Sequence, residues 1–230
     1  MTVFPMRLNA KPVAGVIFIS LLALITLAIP ARAADRLRGA DVSGDSSSLE
    51  HHVMSELNRA RTHPRQYASN LMELRKHFRG TELRRPGNVV IVTKEGVPAV
   101  DEAVTFLKSA KPLPPLKLSR GMSRGARDHV NEQGPAGVTG HDSNDGSKPW
   151  DRASRYGKWQ KTIGENISYG SDDARMVVMG LIMDDGVPDR GHRKNIFNPE
   201  FHVVGVACGP HSVYGTMCVI TFAGGYEERP

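Results

Sequence analysis

Two histidines stand where a packed core would not place them. His141 lies in Gly140-His141-Asp142-Ser143 and His192 in Arg190-Gly191-His192-Arg193, both polar, Gly-flanked runs with no apolar periodicity. Glu165 stands in Gly164-Glu165-Asn166-Ile167, and Asp184-Asp185 precede the His192 segment. Two neutral imidazoles can hold a divalent ion such as Zn²⁺ with positions left open, and carboxylates can orient the rings or act as general acid or base. The histidines are 51 residues apart and no H-E-x-x-H pattern sets two ligands on one helix face, so only the fold can bring them together.

Three other groupings invite a chemical reading. Gly121-Met122-Ser123-Arg124-Gly125 matches the G-x-S-x-G pattern that holds a nucleophilic serine on a strained strand-to-helix turn. It falls inside a helical stripe of Met122, Ala126 and Val130 with no buried strand before it, so an ordinary helical serine is the expectation. Asp142, Asn144 and Gly146 resemble the start of a calcium loop, but Gly146 takes a position that needs an oxygen ligand, and Ala153 takes that of the bidentate Glu. Asx turns explain them. Cys208 and Cys218 are the only cysteines. Their surroundings read as two strands joined by a turn containing Gly209, Pro210 and Gly215. Pairing Cys208 with Cys218 sets Val206 against Ile220 and Val204 against Phe222, an all-apolar face that predicts a cross-strand disulfide.

The elements that must position these groups are read from periodicity. A helix opens at Leu49 and runs through Val53, Leu57 and Ala60, with Ser46 to Ser48 available as caps; Thr62-His63-Pro64 interrupts it, and Tyr67, Leu71, Leu74 and Phe78 carry the stripe on to Gly80. Residues 81–96 are basic and then β-branched, which predicts a short strand or extended loop. A helix over 97–110 ends at Lys111-Pro112, and a third starts at Ser119 and stops near Gly134. The polar segment 134–150 is long for a compact domain and so marks function. A fourth helix covers 172–183, and the hairpin follows. Helices first and a hairpin last predict an α+β fold with helices on a mainly antiparallel sheet.

Composition bounds the partners. The 230 residues are 40% hydrophobic and 23% charged, which excludes a collagen-like or low-complexity chain. The formal charge of +6 is half leader: Arg7, Lys11 and Arg32 stand there without acids, leaving 27 bases against 24 acids with no Lys/Arg stripe, so no nucleic-acid partner is expected. Residues 1–33 read as a secretory signal, with Arg7 and Lys11, an apolar run from Val13 to Ile29, and cleavage after Ala31-Arg32-Ala33. A retained membrane anchor is the alternative. Residues 34–48 read as a flexible entry to a domain spanning 49–230, in a secreted or periplasmic protein.

Several ordered motifs together resemble the CAP superfamily of cysteine-rich secretory, antigen 5 and pathogenesis-related-1 proteins, in its bacterial SCP-domain branch. They are Leu57-Asn58-Arg59-Ala60-Arg61, the segment 116–131 ending in Ala126-Arg127-Asp128-His129, Gly140-His141, Gly164-Glu165-Asn166-Ile167, Gly191-His192-Arg193-Lys194-Asn195-Ile196 and Val204-Gly205-Val206. The resemblance covers residues 49–225. It implies a three-layer α-β-α sandwich with a central antiparallel sheet, and a cleft tetrad that falls here on His141, Glu165, Asp184 and His192. The histidines would carry Zn²⁺ or another divalent metal. Leu181 stands where the family commonly has Trp, and Asp184 replaces a longer Glu. The segment from Arg75 to Pro115 is longer than in short bacterial members. Implied functions are binding of a small ligand, lipid, metal or envelope or host partner; a metal-assisted hydrolase with Glu165 as general base; or a structural surface protein with a vestigial cleft.

Overall fold

The structure, a computed structural model, describes residues 42–85 and 89–229. The signal sequence and cleavage point read at 1–33, and the entry up to residue 41, lie outside the described residues. Helix α1 (Val42–Thr62) begins seven residues before the Leu49 opening expected from periodicity. It ends at His63 because Pro64 disfavours helical backbone in the residue before it; His63 sits at φ −133°, ψ 56°, and Pro64 then opens α2 (Pro64–Arg75).

The expected strand or loop at 81–96 belongs to a small antiparallel sheet of β1 (Phe78–Arg79), β2 (Glu82–Arg85) and β3 (Val89–Val92); α2 stops at Arg75, so Phe78, expected on its helical stripe, lies in β1. Its buried Phe78, Leu83 and Ile91 join the main core. Helix α3 (Val97–Ser109) follows and packs on α2.

The central sheet has the order β4-β6-β7-β5, from β4 (Lys117–Leu118), β5 (Gly157–Tyr169), β6 (Val203–His211) and β7 (Gly215–Glu228). It is antiparallel except where β4 runs parallel to β6. One face carries Val204, Val206, Cys208, Cys218, Ile220 and Phe222 into a core shared with α1 to α3 and α6 (Ala174–Met183). The other carries Ala207, Val219, Ile167 and Tyr169 against α4 (Arg120–Ala136), beside which lies α5 (Pro149–Ser154). This is the expected three-layer α-β-α sandwich. A short α7 (Gly191–Ile196) lies near the outer edge of β5.

Small residues on the α4 side of β6 set the layer spacing. A Cβ on Gly205 would stand 2.3 Å from the backbone of Met122, and one on Gly209 2.6 Å from Val130. The same argument explains Gly134, read from sequence as the helix stop. It continues the helix and approaches the Pro210 carbonyl so closely that a Cβ would lie 2.3 Å from it, while left-handed Gly137 (φ +67°) ends the helix. Ser119 caps α4 as expected, accepting from the Met122 N–H. Ser123 is a helical serine: its hydroxyl donates to the Ser119 carbonyl and accepts from the Val206 N–H. No strand-to-helix nucleophile turn exists there.

The hairpin register is the expected one, with Cys208 opposite Cys218, Val206 opposite Ile220 and Val204 opposite Phe222. Gly209 and Pro210 lie within β6 rather than in the turn, which falls at 212–214. The cysteines form a fully buried disulfide that closes a loop of sequence separation 10. Replacing both with Ser should lower unfolding stability by about 2–3 kcal/mol through loss of this short cross-link. Urea unfolding of the two proteins reads the difference, and coincident midpoints would contradict it.

Candidate functional site

Each histidine is bound to one carboxylate. His141 Nδ1 lies 3.0 Å from Glu165 Oε1, and His192 Nδ1 lies 2.6 Å from Asp184 Oδ1. A carboxylate accepts only, so in both rings Nδ1 carries the donated proton and the other nitrogen, Nε2, is left for a ligand. The acids are buried, with side chains 1% exposed, while the rings are 11% and 15% exposed. The carboxylates are thus the buried frame, and the half-buried imidazoles line cavities.

Glu165 is fixed by a residue that sequence reasoning missed. Arg152, on α5, donates from Nη2 to both Glu165 oxygens at 3.0 and 2.9 Å, and Thr221 of β7 adds a hydroxyl at 3.3 Å. Together with His141 these supply four hydrogen bonds. Arg152 Nη1 also donates to the His141 and Ser147 carbonyls and to Ser143 Oγ, so a single guanidinium ties the 138–148 loop to β5. The loop is gripped from α4 as well. His129 Nε2 and Gln133 Nε2 donate to the Gly140 carbonyl, and the Gly140 N–H donates to Tyr169 Oη, which in turn donates to Gln133. Burial holds the His129 imidazole below its ordinary value and pushes the Tyr169 phenol up to about 12, so both act here as neutral groups. The calcium-like residues behave as turn formers: Asp142 pairs with Lys148, and Asp145 accepts the Ser147 N–H.

The second pair is held from other elements. Asp184 caps α6 in a left-handed conformation (φ 56°), which aims its carboxylate across the 184–192 loop. Besides the His192 ring it accepts the backbone N–H groups of His192 and Arg193. The short Asp184 side chain therefore reaches its imidazole, and Leu181 takes a buried core position. Asp185 points elsewhere and accepts the N–H groups of Lys94, Glu95 and Gly96 at 2.6, 2.8 and 2.9 Å. Arg190, also left-handed, is clasped by Glu95 and Glu102, and Arg193 by Glu102 and the carbonyls of Ile182 and Met183. The Arg75 to Pro115 segment thereby brackets the loop that carries His192.

The structure joins His141 to Glu165 and His192 to Asp184. No hydrogen bond among the described residues links one pair to the other; they meet through β5. Glu165 faces α5 and its neighbour Asn166 faces α7, donating to the His192 carbonyl at 3.0 Å and accepting from Asn195. Each pair opens into its own cavity. The His141 side measures about 480 Å³ and includes Trp150 and Ile163; the His192 side measures about 110 Å³ and includes Leu181, Ile91 of β3 and Thr93 just after that strand. No three His, Cys, Asp or Glu side chains among the described residues form one ligand group.

The bracket sets a pH dependence. Hydrogen bonds from Arg190 and then Arg193 hold the Glu102 carboxyl down at about 2. A folded value below the unfolded one adds stability above the ordinary Glu value of about 4.3, and that stability is lost as pH falls toward about 2. The melting-temperature gap between wild type and Glu102→Gln should therefore be widest near neutrality and narrow below about pH 4. Thermal scans from pH 7 to pH 3 check this; a gap that stays constant or widens in acid would contradict it.

The model of the cysteine-rich secretory protein family, CAP, matches residues 54–222. YkwD, an uncharacterized protein of Bacillus subtilis strain 168, is 30% identical over 123 residues, covering 52% of this chain and 46% of that protein. An extracellular SCP-domain protein from Bacillus anthracis strain Ames is 25% identical with a TM-score of 0.39, over 48% of this chain and 34% of that one. An outer surface protein of Borrelia burgdorferi is 16% identical with a TM-score of 0.42, over 51% of this chain and 80% of that one. The chain spans less than half the length of the two Bacillus proteins. With the family model matching residues 54–222, most of its length, the chain belongs to the CAP family.

Proposed function

We propose that this chain is an exported binding protein that offers two carboxylate-oriented imidazoles, one in each of two cavities beside β5, to a small ligand or a divalent metal. One observation carries the reading: both rings turn Nδ1 to a buried acid, leaving Nε2 for a ligand. That arrangement is the ordinary support of a metal-binding histidine, and His141 and His192 are the proposed holders of Zn²⁺, although they line separate cavities and no group of three His, Cys, Asp or Glu side chains among the described residues completes a site there. When bound, such an ion supplies Lewis acidity and open coordination positions.

The hydrolase reading needs a carboxylate with a free lone pair facing the reacting water. Glu165 accepts four hydrogen bonds at 1% exposure, and Asp184 accepts three, also at 1%. Both are engaged as positioners, which favours binding over turnover. A vestigial cleft is disfavoured because two buried acids and a buried guanidinium are costly to desolvate. Export rests on the leader, and no helix among the described residues is long and apolar enough to cross a membrane.

Titration calorimetry with Zn²⁺ at pH 7.5 tests the metal reading. His141→Ala and His192→Ala should each weaken binding at least tenfold, and wild-type affinity should fall at pH 5.5, where protons compete for the same nitrogens. Equal binding by the three proteins would overturn it.

A further inference from the structure

Tryptophan is highly buried on average, yet Trp150 is 46% exposed. Its backbone is firmly held. Pro149 precedes it in the first turn of α5, the Lys148 N–H donates to the Asp151 carboxylate, Ser154 Oγ donates to the Trp150 carbonyl, and buried Arg152 anchors the helix two residues on. The indole is thus displayed by a rigid mount at the edge of the cavity that holds His141.

The rest of that cavity narrows the ligand chemistry. Pro149 and Ile163 provide apolar wall, and Thr139, His141, Asp142 and Lys148 provide donors and acceptors. The charges cancel locally: Lys148 is bound to Asp142 at 2.5 Å, and Glu165 is neutralised by Arg152. A net ionic ligand therefore gains no unmatched countercharge here, and a purely apolar one would strip water from the polar rim without replacing its hydrogen bonds. The volume of about 480 Å³ lies within the usual range of small-molecule sites, roughly 300–1,000 Å³.

We infer that the Trp150 side of the cleft binds a neutral pyranose unit of an oligosaccharide, stacked on the indole with its hydroxyls on the polar rim. An aromatic face is electron-rich and attracts polarised C–H groups. A ring whose hydroxyls are all equatorial presents a flat face of axial C–H bonds to it and keeps its hydroxyls at the perimeter, where this rim stands. That selects glucose-type pyranoses, and in their β-1,4-linked oligomers the linkage is equatorial as well. The aromatic face could also take an ammonium cation, but recognition of that kind surrounds the cation with several rings, and among the described residues Trp150 is the only Trp, Tyr or Phe lining this cavity. The sugar site takes its location from the cleft reading above but needs no metal.

The test uses Trp159→Phe protein, in which Trp150 is the one remaining tryptophan, titrated in EDTA with cellohexaose and with chitohexaose. A saturable change in indole emission with at least one oligomer is expected. By calorimetry, Trp150→Ala should bind that oligomer at least tenfold more weakly, and Trp150→Tyr should stay within a fewfold of wild type. Tetramethylammonium should not displace the sugar. Absence of a saturable change with both oligomers, unchanged affinity in Trp150→Ala, or displacement by tetramethylammonium would each overturn the inference. Chelator keeps the outcomes separate: failure here leaves the Zn²⁺ titration untouched, and failure of Zn²⁺ binding leaves this one standing.

Discussion

The buried pair of Arg152 and Glu165 is the interaction on which the cleft depends. Both side chains are 1% exposed, and the guanidinium donates to both carboxylate oxygens. Desolvating two charges is expensive, and a pair in such a setting is sustained only when the remaining donors and acceptors are satisfied as well. Here the satisfaction is nearly complete. Thr221 and His141 fill the acid, while the 138–148 loop fills one end of the guanidinium; only Arg152 Nε lacks a partner among the described residues. The bonds that make the pair tolerable are therefore those that place His141. Removing either charge would strand the other and release the loop, at a cost of about 3–5 kcal/mol.

The opposite face of β5 solves the same problem differently. Asp184 needs no buried cation, because backbone N–H groups and one imidazole supply its donors. The strain of two left-handed non-glycine residues, Asp184 and Arg190, is maintained by the surrounding bonds. Much of that restraint comes from Glu95 and Glu102 in the segment between α2 and β4. The segment is thus more than an elaboration of the core. It clamps the second histidine's loop and walls the smaller cavity.

How far this was legible in sequence varies with the kind of interaction. The hairpin register could be read because strand periodicity is two and one face is wholly apolar. His141, Glu165, Asp184 and His192 stood out as polar residues in Gly-flanked or helix-ending positions. Arg152 did not: in Trp150-Asp151-Arg152 it has the look of a charge on a surface helix, and nothing in a spacing of 13 residues announces a partner on β5. His129 and Gln133 left a fainter signal, being polar residues four apart beside the apolar stripe of α4. The small sheet at 78–92 was hidden because its strands are two to four residues long and are held by Leu83 and Ile91 packing into a distant core. Gly134 was misread because close approach to Pro210 leaves the same residue type in the sequence as a helix stop.

The central claim is that two carboxylates each hold Nδ1 of one imidazole and so leave Nε2 for a ligand. Its most direct test is nitrogen NMR of metal-free, histidine-labelled protein near pH 8.5, well above the ordinary imidazole value of about 6.5. His141 and His192 should each carry the proton on Nδ1 and a free lone pair on Nε2. A proton on Nε2 in either ring would mean that the acids do not orient that histidine, and the cleft could not work as described.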